Sequence, residues 1–524
     1  MFQMQRKSTH VAGAARPLAV LTFEGKSSSG RLRRIMAWSC AIVLLMISRI
    51  WTVRAPGPLD AELFAYIGRE WIKGVIPYRQ LWDNKPPGIF AVNALAALTH
   101  RQFPTLALFE FAALLLTIIS ISSILSEFGC SASVRWAAPI VAASILTIPF
   151  YSQGGNLTEI YILPFASGCI YAFLRATRSA SAVPFWLIMA GMSAGIASAF
   201  KPVGIACLLS TTVFSLIALR ESLKSRVAAA VLAWTGFLLI WAGIEAYFAV
   251  HGAARQLIEA SLFYNLHYGA ATHYSIVKSI ALTGDRLSGI GCVLGCSIVC
   301  FFLWLWPMID STAPNLFTTK QHKRAPLLFL WLAADLCLAR AGGRYYPHYF
   351  LPALLSLVIV SCVGIDILAR MASQLRYSQV FVCTLLIPIG IAGLKGQVDS
   401  YHSAMGKPPD EWAQAALFIR DHKSPLDTMF TWEFRPRLYR IADSHTVTRW
   451  ASAHYILDSP DAYNWIGGEL MAELRVTPPS FVVYACNDSF AEAGNSVRNQ
   501  FMEFVSEEYR VVYRTGEVCV SQRS

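Results

Sequence analysis

The feature that most constrains this chain is a series of hydrophobic runs of about 15 to 24 residues, separated by short polar stretches. They recur near 34–53, 87–103, 105–125, 135–149, 157–174, 183–200, 202–219, 227–250, 288–308, 326–340, 346–366 and 377–395. About 20 apolar residues carry a helix across the hydrocarbon layer, and lipid accepts only helices or closed barrels because every backbone polar group must be bonded internally. The runs therefore predict an all-α polytopic membrane domain with about 11–13 transmembrane helices. Gly, Ser and Thr in the shorter runs suit helices packed closely on one another. A mean hydropathy of +0.46 and a charged share of 15%, well under the usual quarter, exclude an ordinary soluble protein.

Charge sets the orientation. Arg6, Lys7, Arg16, Lys26, Arg31, Arg33 and Arg34 precede the first run, with no small-residue cleavage site behind it. That pattern predicts a cytoplasmic basic tail over 1–33 and a retained first helix. Placing the clusters Arg175/Arg178, Arg220/Lys224/Arg226, Lys320/Lys323/Arg324 and Arg370/Arg376 inside makes the spans from 157 onward alternate. Residues 54–86, 150–157, 251–287 and 341–348, and everything after about 396, then lie outside. An inside N-terminus and an outside C-terminus need an odd number of crossings, so one short segment between 87 and 150 is expected to be a partial or re-entrant helix. The net charge of +12 follows from the inner loops and their attraction to anionic headgroups, with no nucleic-acid partner implied. The expected location is a bacterial cytoplasmic membrane.

Three parts follow: the tail 1–33, a transmembrane domain 34–395 whose first external loop is 54–86, and a small C-terminal α/β domain over 396–524 on the outer side. In that last part, Glu411 to His422 has helical spacing, D-T-M-F-T-W and F-V-V-Y-A read as strands, and E-L-M-A-E-L-R is helical. The end of the chain reads as a hairpin with Gly516 in its turn. Of the 12 cysteines most fall inside apolar runs and no C-x-x-C occurs, which favours buried small hydrophobes over metal ligands. Cys486 and Cys519 are the pair in the outer tail, where a disulfide is compatible with an oxidising compartment.

The first external loop, from Pro58 to Gly88, holds Asp60, Glu62, Glu70, Asp83 and Lys85 beside membrane spans. Ionisable groups there are costly and mark function by default. Leu63, Tyr66, Ile67 and Trp71 share one helical face, predicting a helix along the membrane surface with Asp60 near its start, a position that also suits a plain helix cap. Gly74 and Pro77 end it, and Pro86-Pro87 is expected to hold Asp83 and Lys85 on an extended backbone at the entrance of the next helix.

Asp60, Phe64-Ala65-Tyr66, Gly74-Val75-Ile76-Pro77-Tyr78 and Asp83-Asn84-Lys85-Pro86-Pro87-Gly88 together resemble the first external loop of the GT-C superfamily of integral membrane glycosyltransferases, in the bacterial branch related to protein O-mannosyltransferases and lipid A aminoarabinose transferases. Arg344, Tyr345, His348 and Tyr349 match a second motif of that family near a late span. Ala61 stands where the family usually has a second acid, with Glu62 one residue on, which weakens a paired-carboxylate metal site.

The resemblance implies transfer of a sugar from a polyprenyl-phosphate donor to a hydroxyl of a lipid, glycan or protein acceptor at the outer face. Direct displacement needs a carboxylate to take the hydroxyl proton and cations to hold the departing phosphate. Asp60 is the candidate base, with Glu62 and Asp83 next in line, and Lys85 and Arg344 are the candidate phosphate anchors. His348 and Tyr349 are candidates for phosphate or sugar hydroxyls, and Tyr66, Tyr78 and Tyr345 complete the substrate-binding set through the motifs. Glu159, after Gly154-Gly155-Asn156, begins a span on the outer side and is a candidate for the sugar pocket or a helix-start carboxylate. Lys201 lies in an outer turn near Lys85 if its flanking runs are two helices, and inside the membrane if they are one. Ala260 to Ala270 is aromatic-rich, either a guide for a prenyl chain or an interfacial belt. No cofactor is required by the sequence, and a divalent cation on carboxylates stays compatible with it. The rival class is a polytopic transporter or flippase, whose halves usually repeat; the Asp60–Gly88 pattern has no second copy.

Overall fold

The computed structural model describes residues 28–54, 57–178, 182–218, 222–266, 274–310, 312, 316–373, 395–398, 409–458, 460–486 and 496–524. The basic tail before residue 28 and all but the last residue of the hydrophobic run at 377–395 lie outside the described residues. The membrane part is built from α1 (Ser28–Arg54), α2 (Leu59–Ile72), α3 (Gly88–Ala97), α4 (Gln102–Phe128), α5 (Ala132–Leu146), α6 (Thr158–Ala176), α7 (Val183–Phe200), α8 (Ala206–Ala218), α9 (Leu223–Val250), α10 (Ile276–Leu287), α11 (Gly291–Ile309), α12 (Thr319–Arg340) and α13 (Leu351–Ser373). Among the described residues five stretches are long and apolar enough to cross a membrane: α4, α7, α9, Ile276–Ile309 and Pro347–Met371. At ten residues α3 rises only about 15 Å, half the hydrocarbon thickness. It and Ala132–Leu146 are the short apolar helices between 87 and 150.

Small residues set the helix spacing. A Cβ on Gly191 of α7 would lie 1.7 Å from the Ala233 carbonyl oxygen, and one on Gly236 of α9 would lie 2.1 Å from that of Ile188, so α7 and α9 touch backbone to backbone. Among the described residues, members of two of the basic clusters meet at one end of the bundle. Glu127, closing α4, is ringed by Arg178 at 3.3 Å, Arg324 at 3.4 Å and Arg175 at 3.7 Å. Arg175 ends α6, whereas Glu159 begins it, so the cationic end lies a full helix length from the residues singled out above.

The C-terminal part is α/β. It contains α14 (Glu411–His422), β1 (Met429–Thr431), α15 (Arg437–Ile441), α16 (Pro460–Val476), β2 (Phe481–Ala485), α17 (Ser496–Glu508), β3 (Tyr509–Thr515) and β4 (Val518–Arg523). The four-stranded sheet has the order β1-β2-β4-β3, with β1 parallel to β2 and the other pairs antiparallel. Gly516, φ +52°, makes the β3–β4 turn, and Cys486 is bonded to Cys519, tying the end of β2 to β4.

This domain grips α2. Arg440 pairs with Glu62 at 2.9 Å, Tyr439 stacks on Tyr66 with ring centroids 4.6 Å apart, and the Thr446 N–H donates to the Tyr66 hydroxyl at 2.9 Å. Arg69 donates to the carbonyls of Tyr439 and Ser444. On the other side α2 meets α3 so closely that a Cβ on Gly68 would lie 2.5 Å from the Asn93 backbone. The expected surface helix is thus covered on both sides, and every residue from Ala61 to Gly68 is buried. Periodicity missed this because it reports one apolar face, whereas the second face is covered by a domain nearly 400 residues further along the chain.

Removing one partner of the Glu62–Arg440 pair tests the grip. Arg440→Ala strands a carboxylate whose side chain is 1% exposed, and is expected to destabilise by about 1–3 kcal/mol, below the full cost of a broken buried pair because the arginine end is partly solvated. Glu62→Gln removes the charge as well and should cost less. Thermal unfolding of the detergent-solubilised protein gives the order.

Candidate active site

Beneath the α/β domain, at the end of the bundle opposite the Glu127 arginines, lies a cavity of about 900 Å³. Asp60, Lys85, Lys201, His348 and Tyr349 all line it, although they are spread over almost 300 residues of sequence. Val203, Ile205, Leu262, Leu266 and Leu338 form an apolar flank, and Phe434, His454 and Tyr455 form a roof.

Asp60 is the second residue of α2. The N-cap is Pro58, in an extended conformation and without a side-chain cap bond, so Asp60 is not the cap. It is partly exposed, and among the described residues it has no ion-pair partner within 4 Å.

Lys85 sits in a tightly bonded knot. Its backbone N–H donates to Asp83 Oδ1 at 3.0 Å, a turn that Asp side chains favour, and its Nζ donates to Asn84 Oδ1 at 2.7 Å. The Tyr78 hydroxyl donates to the Lys85 carbonyl at 2.7 Å. Asn265 closes the knot from the far loop, donating to the Asn84 carbonyl at 2.7 Å and accepting from its side-chain amide at 3.3 Å. Asn265 follows a π-helical turn at Glu259–Tyr264, a wide geometry common at functional sites. Pro87 departs from the extended backbone expected of it. Its φ of −73° and ψ of −11° are helical, so the chain already turns into α3 at Pro87.

Asp83 is 2% exposed, with Nζ of Lys85 3.9 Å away. Burial pushes its carboxyl up to about 6, against the pull of the Lys85 charge and of two backbone N–H groups.

Lys201 breaks the chain between α7 and α8 with an extended backbone, φ −160°, so its two flanking runs are separate helices. Its Nζ lies 2.5 Å from Glu159 Oε1 and 3.3 Å from the centroid of the Tyr349 ring. Glu159 itself is buried behind the lysine and also accepts from the Thr158 hydroxyl at 2.8 Å. His348 enters from a short 3-10 turn, Pro347–Phe350, and its buried Nδ1 has no hydrogen-bond partner among the described residues.

The turn that leads into Glu159 is pinned from inside the bundle. Glu110 of α4, fully buried, pairs with Arg49 at 2.8 Å, accepts from Thr52 at 3.1 Å and accepts the Asn156 backbone N–H. Gly155 has φ +96° and its Cβ would meet the Glu110 carboxylate at 2.6 Å, so only glycine fits. Asn156 and Asn93 exchange side-chain amide bonds beside it.

Several expected residues stand elsewhere. Glu62 and Tyr66 sit in the contact between α2 and the α/β domain, and Tyr78 and Asp83 are buried supports of the Lys85 knot. Arg344 and Tyr345 do not line the cavity; Tyr345 packs against Tyr274 and Phe350. Conversely, Asn265, Phe434, His454 and Tyr455 were not singled out. Asn265 lies within the aromatic segment noted above, but no local pattern marks the other three. Among the described residues no group of three His, Cys, Asp or Glu side chains is placed to hold a metal ion.

The architecture is that of the GT-C membrane glycosyltransferases. The chain is similar to the structure of ArnT from Cupriavidus metallidurans bound to undecaprenyl phosphate, with 15% identity, 94% of this chain and 98% of that chain covered, and a TM-score of 0.58. It is also similar to the arabinofuranosyltransferase AftD from Mycobacteria, with 11% identity, coverage of 94% and 40%, and a TM-score of 0.53. A third likeness is to the archaeal oligosaccharyltransferase AglB from Archaeoglobus fulgidus, in complex with an inhibitory peptide and a dolichol-phosphate, with 11% identity, coverage of 95% and 74%, and a TM-score of 0.51. No family model and no curated protein sequence matches the chain.

The Asp83 environment gives a pH test. Because its folded-state value lies above the unfolded one, stability falls as pH rises from about 4 to about 6 and is level above that, the ionised carboxylate costing about 3 kcal/mol. Asp83→Asn keeps the acceptor for the Lys85 N–H and removes the titration. Its unfolding temperature is expected to match wild type near pH 4, to exceed it increasingly up to about pH 6 and to keep a constant margin above that.

Proposed function

We propose that this protein is a glycosyltransferase that moves a sugar from a polyprenyl-phosphate donor to an acceptor hydroxyl at the outer face of the membrane. The observation that carries the reading is the cavity itself, where one partly exposed carboxylate and two lysines face an apolar flank. A lipid phosphate needs that combination: cations for the head and a greasy wall for the chain. The GT-C fold supports it, since the ArnT structure of that fold is described with undecaprenyl phosphate bound. The Cys486–Cys519 bond and the gathering of arginines at the opposite end of the bundle support an outward-facing cavity and α/β domain.

In this mechanism Asp60 accepts the proton of the acceptor hydroxyl as its oxygen bonds to the anomeric carbon. The bond from that carbon to the phosphate oxygen breaks, and its electron pair leaves with the lipid phosphate. Attack and departure on opposite faces invert the anomeric centre. Lys85 stabilises the charge that grows on the phosphate, and Lys201 contributes less because Glu159 shares its charge at 2.5 Å. The Asn84–Asn265 clasp and the Tyr78 bond keep Lys85 in place, so little reorganisation is needed at the moment of reaction. Leu262 and Leu266 give the aromatic outer segment its role as a wall for the prenyl chain. Mass spectrometry of envelope glycolipids and glycans from a deletion strain identifies the sugar and acceptor.

Two variants test the reading on purified protein in nanodiscs. Asp60→Asn is expected to lower transfer by about 10²-fold or more while binding of undecaprenyl phosphate is kept; wild-type turnover would move the base elsewhere. Lys85→Ala is expected to weaken binding of undecaprenyl phosphate with no sugar attached by about tenfold or more, as loss of a charged hydrogen bond does. Equal binding by the variant and wild type would remove the phosphate site.

A further inference from the structure

The roof of the cavity carries a side chain that the mechanism above does not use. His454 is contributed by the α/β domain, lines the same cavity as Lys85, and is held without rotational freedom. Its ring stacks on Phe434 with centroids 3.7 Å apart and packs at a tilt against Tyr455 at 3.6 Å. Its Nδ1 is hydrogen-bonded to the Ser452 hydroxyl at 2.9 Å. Tyr455 in turn stands edge-on to Trp82 at 4.6 Å and donates to the Trp82 carbonyl, so the roof is tied to the loop that carries Lys85. With Nδ1 engaged, Nε2 is the nitrogen left for a ligand.

We propose that His454 hydrogen-bonds a hydroxyl of the donor's sugar and thereby makes the outer domain a determinant of which sugar is accepted. The inference rests on the glycosyltransferase reading and adds to it where selectivity resides. Burial, and then the charge of Lys85, hold the imidazole well below its ordinary value, so the ring is neutral at physiological pH. A neutral imidazole nitrogen is a donor or an acceptor according to tautomer, and a hydroxyl satisfies either. A phosphate offers only acceptors and already has lysines to meet it. His454 lines the cavity together with Lys85, and its neighbour Tyr455 is bonded to the loop that carries Lys85, so the ring faces the space where a sugar bonded to the phosphate would sit. The Phe434–His454 stack, with Tyr455 tilted against it, also closes the cavity over the sugar and leaves its hydroxyls few places to turn. A site that hydrogen-bonds a hydroxyl rejects analogues lacking it far better than an apolar wall does.

The test uses the full-length protein in nanodiscs and five probes: bare undecaprenyl phosphate, and undecaprenyl phosphates carrying glucose, galactose, mannose or arabinose. His454→Phe keeps the stack and removes the hydrogen bond; His454→Gln restores a group that donates and accepts. Wild type is expected to bind the bare carrier and to prefer one sugar over another. In His454→Phe the ratio between best- and worst-bound sugars should fall by about tenfold, with bare-carrier affinity unchanged, and His454→Gln should recover part of the ratio. An unchanged ratio in His454→Phe, equal binding of all four sugars by wild type, or an equal loss for the bare carrier overturns the proposal. Failure of wild type to bind the bare carrier instead overturns the underlying reading.

Discussion

The cavity depends above all on α2 being held from two sides. A 14-residue helix has too little surface to stay in place alone, and helices of that length are marginal in water. Here Gly68 lets it meet α3 backbone to backbone, and the α/β domain closes over its other face through Glu62–Arg440 and Tyr66–Tyr439. Asp60 at its start is therefore set by contacts made further along the helix. The same domain also bonds the Trp82 N–H through the Arg449 carbonyl at 2.8 Å, so the Lys85 loop and α2 share one support.

A second constraint acts from within the bundle. Burying Glu110 and Arg49 among membrane helices carries a desolvation cost that their mutual attraction offsets only when every lone pair finds a donor. That condition is met by Thr52 and by the Asn156 backbone, and meeting it dictates the path of the turn from Gln153 to Thr158. The turn delivers Glu159 to the back of Lys201, which in turn faces the cavity. Three layers of polar residues thus descend from solvent to the interior, each orienting the one above.

These supports explain why residues of similar sequence character take different roles. Asp60, Glu62 and Asp83 lie within one short loop, and each was a candidate for the base. Packing separates them: Glu62 is engaged by a guanidinium, Asp83 is sealed under Lys85, and Asp60 alone of the three lines the cavity. Tyr66 and Tyr78 divide in the same way, the first meeting the outer domain and the second bracing the Lys85 carbonyl.

By itself the sequence determined the membrane class, the C-terminal α/β part with its helices and hairpin, and the loop bearing Asp60 and Lys85, because hydrophobic run length and turn chemistry are local properties. Glu411–His422 and Phe481–Ala485 were legible from periodicity for that reason. The burial of α2, the helical rather than extended Pro87, the withdrawal of Glu62 and Tyr66 into a domain contact, and the arrival of His454 and Asn265 were decided by the tertiary structure alone. Those depend on which distant surfaces meet. A histidine packed between two aromatics looks, in a linear chain, like any other histidine in a polar tail; it acquires an address only when a domain more than 350 residues after Lys85 folds down over that loop.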